Sequence, residues 1–301
     1  MESKQILLTG GTGFIGSYLS DRLLKSGHYL TIITRSPERY SEEQAKNMQY
    51  VGWNDDLVAV VNKTDYIINL AGENLFGQRW SNEVKTRIYD SRISTTRRLV
   101  SLIDQAENKP ELLISASGVG IYGDRGDTIL DESTPAANDF LAEVCTDWEK
   151  EALKASEYGV RVAIPRFGVV LEKDGGAIEQ MLLPFKFFVG GPIGTGDQYL
   201  PWIHMHDLCN AILFPIEKKD LKGPYNACSP EPQPMKVFAA TLGKVMNRPS
   251  FFRVPESILK LALGDAAKPV LDSIRVQPKV LQISGFTFEF EDLEEALADI
   301  I

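Results

Sequence analysis

The chain has 301 residues, of which 44% are hydrophobic, and it carries a formal net charge of −9 at pH 7. That length and apolar content suit one large α/β domain, or such a domain with a smaller appendage, that buries a full core. The excess of acidic residues disfavours a protein that binds nucleic acid.

The cysteine content and the apolar runs exclude further classes. Cys145, Cys209 and Cys228 are too few and too scattered for a disulfide framework or a zinc site, and they indicate a reducing compartment. No apolar run reaches about 18 residues, and the polar first residues lead straight into a strand, so neither a membrane span nor a signal peptide is predicted. We therefore expect a cytoplasmic monomer or homodimer with neither membrane nor nucleic acid among its partners.

The first predicted element is a short apolar strand, Gln5–Thr9, which leads into three glycines spaced by three and then into an amphipathic helix. Gly10 allows a sharp turn, Gly13 lets backbone N–H groups approach a diphosphate, and Gly16 lets the helix pack closely on the strand. The positive end of the helix dipole then faces the phosphates. An ordinary glycine-rich turn is the alternative, but the flanking strand and helix favour a dinucleotide site. The candidate contacts in this turn are Gly10, Thr12, Gly13, Phe14, Ile15 and Gly16.

The second predicted strand, Tyr29–Thr34, ends at a position that separates the two nicotinamide coenzymes. An acidic residue there would accept hydrogen bonds from the ribose hydroxyls of NAD, whereas this chain has Thr34 and Arg35. A guanidinium suits the 2′-phosphate of NADP through bidentate, charge-assisted hydrogen bonds. We therefore expect NADP and consider NAD the less favoured coenzyme. A solvated surface arginine is the alternative role for Arg35.

The next candidate contacts lie at the end of the fourth predicted strand, because this carboxyl end lines the coenzyme crevice of a doubly wound sheet. They are Leu70, Ala71 and Gly72. Further strands are predicted at Met48–Gly52, 65–72, 112–117 and 159–171, and further helices at 56–62, 81–107, 139–153, 177–189, 208–216 and 235–246.

Several of these segments resemble one known superfamily. The runs 10–16 (Gly-Gly-Thr-Gly-Phe-Ile-Gly), 69–72 (Asn-Leu-Ala-Gly) and 202–208 (Trp-Ile-His-Met-His-Asp-Leu) resemble the extended, epimerase-like branch of the short-chain dehydrogenase/reductases. The segment 80–96 and the residues from 248 onward resemble an atypical "epimerase family" subgroup with an uncharacterised C-terminal domain. The resemblance therefore runs from end to end of the chain.

The resemblance implies a Rossmann-like fold, a nicotinamide coenzyme and roles for several further residues. Arg87 and Arg92 would reach the coenzyme, with Arg92 the stronger candidate, although a solvated helix face is the alternative for both. Ser117, at the end of the fifth strand, would form a hydrogen bond with the substrate oxygen, and Ser115 is the alternative. The backbone at Val169 would flank the nicotinamide.

The acid–base pair usual in this superfamily is missing. Its chemistry needs a tyrosine and a lysine four residues apart on one helical face, and no Tyr-x-x-x-Lys occurs in this chain. Aligned backward from the sixth strand, the helix at 139–153 has Leu141 in place of the tyrosine and Cys145 in place of the lysine. Ser117, Tyr122 and Cys145 are the candidate catalytic residues, and a purely packing role is the alternative for Tyr122 and Cys145. Asp147 and Glu149 could also line the site, and a solvated or paired role is the favoured alternative for both.

Two histidines spaced by one residue, His204 and His206, would share one side of a strand. No further cluster of histidine or cysteine completes a ligand set, so we expect no metal site. Asp207, which follows them, is expected to cap the helix at 208–216.

The alternation of strands and helices predicts an α/β protein with a Rossmann-like, doubly wound parallel sheet and a smaller, mainly helical C-terminal lobe. We expect the NADP-binding domain at 1–170, with 203–228 added to it, and the substrate side and C-terminal lobe at 171–202 and 229–301. The chain is then an NADP-dependent oxidoreductase or epimerase acting on an unidentified small substrate. The alternative is an NADP-binding sensor or scaffold without turnover, which the missing pair favours.

Overall fold

A parallel sheet with helices on both faces forms the centre of the molecule. The computed structural model describes residues 2–40, 46–75, 78–173 and 175–301. The strands are β1 (Gln5–Thr9), β2 (Tyr29–Thr34), β3 (Met48–Gly52), β4 (Tyr66–Asn69), β5 (Leu112–Ser115), β6 (Ser117–Gly118), β7 (Ile129–Leu130), β8 (Arg161–Phe167), β9 (Val169–Leu171), β10 (Tyr199–Leu200), β11 (Trp202–His204), β12 (Gly223–Ala227), β13 (Gln233–Pro234) and β14 (Arg275–Val276).

The helices alternate with these strands over the first half of the chain and dominate its last quarter. They are α1 (Phe14–Lys25), α2 (Leu57–Val61), α3 (Asn82–Gln105), α4 (Phe140–Leu153), α5 (Gly176–Lys186), α6 (Met205–Glu217), α7 (Met235–Met246), α8 (Glu256–Leu263), α9 (Lys268–Leu271), α10 (Lys279–Ile283) and α11 (Leu293–Ile300). In the described part of the chain, none of them is long and apolar enough to cross a bilayer.

The central sheet has the order β12-β8-β5-β4-β1-β2-β3, and β6 extends it by pairing with β8. All of these pairings are parallel. Successive residues of a strand face opposite sides, so Leu7 packs in a core with Leu99 of α3 while Leu8 packs in a core with Leu19 of α1. The predicted Rossmann-like architecture is therefore confirmed.

A second core lies in the C-terminal part of the chain. Ile178 of α5, Phe238 of α7 and Leu297 of α11 are fully or almost fully buried there around Trp202. These helices have amphipathic sequences because one face packs against this core and the other is in contact with solvent. β12, within the predicted 203–228 addition, pairs with β8 in the main sheet, while the division into domains stays a prediction.

Two predicted helix boundaries were wrong. The helix expected to reach residue 189 ends at Lys186, because Phe188 adopts a left-handed φ of 62° that an α-helix cannot continue. α6 begins at Met205 rather than 208, and its N-cap is His204, whose Nδ1 accepts the His206 N–H at 3.2 Å.

Asp207 lies inside α6 rather than at its start, and its carboxylate holds the C-terminal segment. It is fully buried and accepts the backbone N–H groups of Glu289 and Phe290, both at 2.9 Å. A carboxylate serves this purpose because each oxygen accepts one N–H that the buried segment would otherwise leave unpaired.

We expect Asp207→Ala to lower the free energy of unfolding by about 2–4 kcal/mol, because two buried N–H groups lose their acceptors. Urea denaturation followed by circular dichroism measures the change. Asp220→Ala is the matched control, since that aspartate is largely exposed. Equal effects of the two substitutions would contradict the assigned role of Asp207.

Candidate functional site

The turn between β1 and α1 can be built only with glycine at two positions. Gly10 has a φ of 72°, and a Cβ atom there would lie 2.6 Å from the Leu70 carbonyl oxygen. A Cβ atom at Gly16 would lie 2.1 Å from the Gly10 carbonyl oxygen. The helix therefore starts directly against the turn, with Gly13 as an N-cap that provides no side-chain hydrogen bond.

This packing creates an anion cradle. The first N–H groups of an α-helix have no partner within the helix, and those of α1 begin at Phe14 beside the carboxyl end of β1. The helix dipole adds partial positive charge at the same point. The turn therefore fits the diphosphate of a dinucleotide, which is what the glycine spacing predicts.

A cavity of about 470 Å³ opens at this turn and extends along the carboxyl ends of the parallel strands. We call it the first cavity. Of the residues predicted from the sequence, its walls contain Gly10, Gly13, Phe14, Ile15, Gly16, Leu70, Gly72, Arg92, Ser117, Cys145 and Val169. The other predicted site residues, all within the described part of the chain, do not line it; they are Thr12, Thr34, Arg35, Ala71, Arg87 and Tyr122. Strand ends distant in sequence thus meet at one site.

Arg92 is the one basic residue among the described residues that line the first cavity. Its guanidinium donates to the carbonyl oxygens of Ile88 at 3.1 Å and Glu73 at 3.0 Å, and it lies 5.3 Å from the Trp148 ring. No carboxylate in the described part of the chain forms an ion pair with it, and burial lowers its pKa. A half-buried cation without a paired carboxylate favours the binding of an anion.

The other two arginines lie near the cavity without lining it. Arg35 is exposed immediately after β2, at the same carboxyl edge of the sheet. Arg87 lies on the exposed face of α3, where its Nε is 3.7 Å from Glu73 Oε1. Glu73 itself lines the cavity, so Arg87 contacts the wall from outside.

A buried ion pair holds Ser117, which is the first residue of β6 and not, as predicted, the end of the fifth strand. Ser117 Oγ donates to Glu149 Oε1 at 2.7 Å, and Arg166 clamps both oxygens of that carboxylate at 2.7 and 2.8 Å. All three side chains are almost completely buried. Because its proton is directed to Glu149, the Ser117 oxygen has lone pairs that can accept a hydrogen bond from a group in the cavity.

Tyr122 takes part in this network from behind the cavity wall. Its hydroxyl accepts from Arg166 Nη1 and donates to Asn226 Oδ1, both at 2.8 Å. The ring is fully buried, and burial raises the pKa of the hydroxyl to about 12. In this arrangement Tyr122 supports Arg166 and does not itself reach the cavity.

Helix α4 presents apolar groups at the two positions that the sequence analysis aligns with the acid–base pair. Leu141 and Cys145 both line the first cavity, one helical turn apart. Burial raises the pKa of the Cys145 thiol to about 11, so it is protonated at neutral pH. Glu149, one turn further along the same face, supplies the charged group that this helix directs toward Ser117.

Sequence reasoning missed Arg166 and treated Glu149 as a surface or paired residue. A signal was available, because Arg166 interrupts the apolar run of a strand that is buried on both faces. An arginine at such a position needs a buried acidic partner. Glu149, at the i+4 position from Cys145, was the acid on the inward face of the neighbouring helix.

A second cavity of about 820 Å³ adjoins the first one and shares Leu141 and Asp272 with it. We call it the second cavity. It lies between the segment that follows β6 and the helices α8 and α9. Asp272 is paired with Lys268 at 2.7 Å, and burial raises the pKa of its carboxyl group. The junction of the two cavities is therefore polar, whereas the first cavity is mostly apolar.

The sequence model of the NAD dependent epimerase/dehydratase family matches residues 6–228. The chain belongs to this family. A domain of unknown function, DUF1731, matches residues 254–300. Membership confirms the resemblance predicted from the motifs, including the subgroup's C-terminal domain.

Individual relatives match this chain along almost its whole length. An epimerase family protein of Staphylococcus haemolyticus is 40% identical over 300 residues, which cover 99% of both chains. The crystal structure of human epimerase family protein SDR39U1 (isoform 2) with NADPH has a TM-score of 0.90 at 32% identity and 98% coverage of both chains. UDP-glucuronic acid 4-epimerase of Bacillus cereus has a TM-score of 0.78 at 17% identity, with 98% and 97% coverage. This last likeness shows the fold alone.

We expect Glu149→Gln to destabilise the family member by about 3 kcal/mol or more, because it leaves Arg166 as a buried, uncompensated charge. Glu151→Gln is the matched control on the same helix. Its partners, Arg97 and Lys154, are well exposed, at 63% and 45%, so that loss is expected to stay below about 1 kcal/mol. Denaturant titration of both variants measures the difference, and equal losses would contradict it.

Proposed function

We propose that the chain binds NADP(H) across the carboxyl edge of the sheet, with the diphosphate at the first turn of α1. The cradle formed by Gly10, Gly13 and Gly16 supports this placement, and so does the unpaired cation Arg92 in the first cavity. The exposed guanidinium of Arg35 then meets the 2′-phosphate at the end of β2. The NADPH in the human SDR39U1 structure supports the same choice over NAD.

We further propose that the protein is an oxidoreductase or epimerase that acts on a small substrate. The observation that carries this proposal is the second cavity, which joins the first one at Leu141 and Asp272. A protein that only senses the coenzyme has no need of such a space, whereas an enzyme of this family must admit a substrate beside the nicotinamide. The bound coenzyme supplies a hydride acceptor or donor.

In this proposal the Ser117 oxygen accepts a hydrogen bond from a hydroxyl group of the substrate. The Ser117 hydroxyl is oriented by Glu149, and Glu149 is held by the two hydrogen bonds from Arg166. Preorganised donors and acceptors of this kind act without further ordering when the substrate enters. Ser117 thus replaces part of the positioning that tyrosine provides elsewhere in the superfamily.

The second candidate function is a coenzyme-binding protein without turnover. The observation in its favour is that α4 presents Leu141 and a protonated Cys145 to the first cavity. Neither group can supply the proton transfer that an ionised tyrosine provides. Coenzyme affinity and turnover are therefore measured separately.

We expect the purified chain to bind NADPH more tightly than NADH, and Arg35→Ala to weaken NADPH binding by roughly tenfold to a hundredfold, because a charge-assisted contact is lost. NADH affinity should not change. Arg39→Ala, at another exposed arginine of the same connection, is the matched control. Isothermal titration calorimetry measures all three proteins. An unchanged preference in Arg35→Ala would contradict the assigned role of Arg35.

For turnover, we expect the chain to reduce NADP above background with at least one member of a panel of small hydroxyl compounds, whose hydroxyl group can donate to the Ser117 oxygen. Ser117→Ala should lower kcat by about a hundredfold, since the oriented hydroxyl is lost, and leave NADPH affinity unchanged. Ser115→Ala is the control, because Ser115 accepts a hydrogen bond from Asn69 instead of facing the cavity. NADPH binding without any turnover would favour the second candidate function.

A further inference from the structure

Six apolar side chains at the junction of α5 and the 248–252 segment remain exposed. Phe187 and Phe251 are the extreme cases, with 70% and 74% of their surface accessible. The full set, which we call the aromatic patch, is Leu183, Phe187, Phe188, Val189, Phe251 and Phe252. Single exposed apolar residues are ordinary, whereas a contiguous group of this kind marks a contact surface.

The two segments that carry the aromatic patch lie side by side. The Phe252 N–H donates to the Gly190 carbonyl oxygen at 3.1 Å, which joins the segments directly. The rings of Phe251 and Phe252 lie 4.5 Å apart, and the Arg248 guanidinium lies 4.4 Å from the centre of the Phe188 ring. The exposed rings therefore form one continuous surface.

Phe188 is held in a backbone conformation that a bulky residue rarely adopts, with a φ of 62°. Such strain persists where the surrounding structure imposes it, and it concentrates at sites that bind a ligand or partner. Burial cannot compensate here, because more than half of the Phe188 surface is accessible. The backbone strain therefore lowers stability and leaves the Phe188 ring exposed to solvent.

The charge around the aromatic patch is opposite in sign to that of the whole chain. Residues 183–190 and 247–253 contain Lys186, Arg248 and Arg253 and no acidic residue, although the net charge of the protein is −9. A second copy docking through the same surface would bring like charges together. The complementary partner is an apolar surface with negative charge at its boundary.

The composition of the aromatic patch distinguishes between partners. Four phenylalanine rings exposed to this degree offer on the order of 500 Å² of apolar surface. A stable protein interface surrounds a comparable apolar area with a polar rim, to reach about 800 Å² in total from each partner. Shallow insertion of aromatic side chains into a lipid headgroup region, with basic residues at the rim, needs less area and uses this composition.

We propose that the aromatic patch docks the protein on the surface of an anionic phospholipid bilayer. The phenylalanine rings enter the headgroup boundary, and Lys186, Arg248 and Arg253 meet the lipid phosphates. This contact lies on the surface of the bilayer and is distinct from a span. It departs from the sequence-based expectation that no membrane is a partner, and it stands apart from the proposed coenzyme chemistry.

The test uses the full chain and vesicles of phosphatidylcholine with roughly one-third phosphatidylglycerol, compared with pure phosphatidylcholine. Co-sedimentation is expected with the anionic vesicles, and it should weaken as salt screens the basic rim. The double variant Phe187→Ser/Phe251→Ser should bind roughly tenfold more weakly, because two inserting rings are lost. Both residues are largely exposed, so the fold should be retained.

Ile283→Ser is the matched control, since Ile283 is 77% exposed on α10 and lies outside the aromatic patch. NADPH titration of each variant reports whether the coenzyme domain is intact, so vesicle binding is judged independently of coenzyme binding. Absence of binding to anionic vesicles, or equal binding by the double variant, would overturn the proposal. It would also be overturned if sedimentation velocity showed that the double variant dissociates an oligomer, which would make the patch an interface between copies.

Discussion

The close approach of two backbone segments at the start of α1 is the constraint on which the rest of the site depends. Gly16 lies against the Gly10 carbonyl, and Gly10 lies against the carbonyl of Leu70 at the end of β4. Side chains at these positions would push the helix away from the sheet edge. Because the helix stays close, its free N–H groups point along the carboxyl ends of the strands, where the first cavity opens.

The second organising feature is a chain of buried polar groups that begins at Ser117 and ends at Asn226. It passes through Glu149, Arg166 and Tyr122 and links α4, β8 and β12. A buried ion pair contributes little to stability compared with well-packed apolar residues, because desolvation offsets its attraction. Its value here lies in orientation, since it determines where the Ser117 oxygen points.

The first cavity thus combines two kinds of wall that differ from the usual arrangement of its superfamily. One wall is α4, where Leu141 and Cys145 make the surface apolar. The other kind of wall is polar, and it contains the oriented hydroxyl of Ser117 and the guanidinium of Arg92, which has no paired carboxylate. The polar second cavity extends this space toward the C-terminal helices. α5 connects the first cavity with the aromatic patch, because its first turn lines the cavity and its last turn leads into the patch.

The sequence alone determined the fold class, the glycine turn and six of the strands that build the central sheet. Local signals suffice for these features: glycine spacing reports backbone crowding, and apolar runs report strands that are covered on both faces. Arg92, Ser117 and Cys145 came instead from the resemblance to the superfamily, and all three line the first cavity.

Only the tertiary structure decided how the polar and apolar groups pair. Glu149 and Arg166 meet because α4 packs on β8 in one rotational setting, which no sequence spacing specifies. The sequence predicted a helix cap at Asp207, whereas in the fold its carboxylate accepts two N–H groups from the C-terminal segment. The aromatic patch likewise depends on the fold, because hydrophobic patterning cannot tell which apolar faces find a partner within the chain and which remain in contact with solvent.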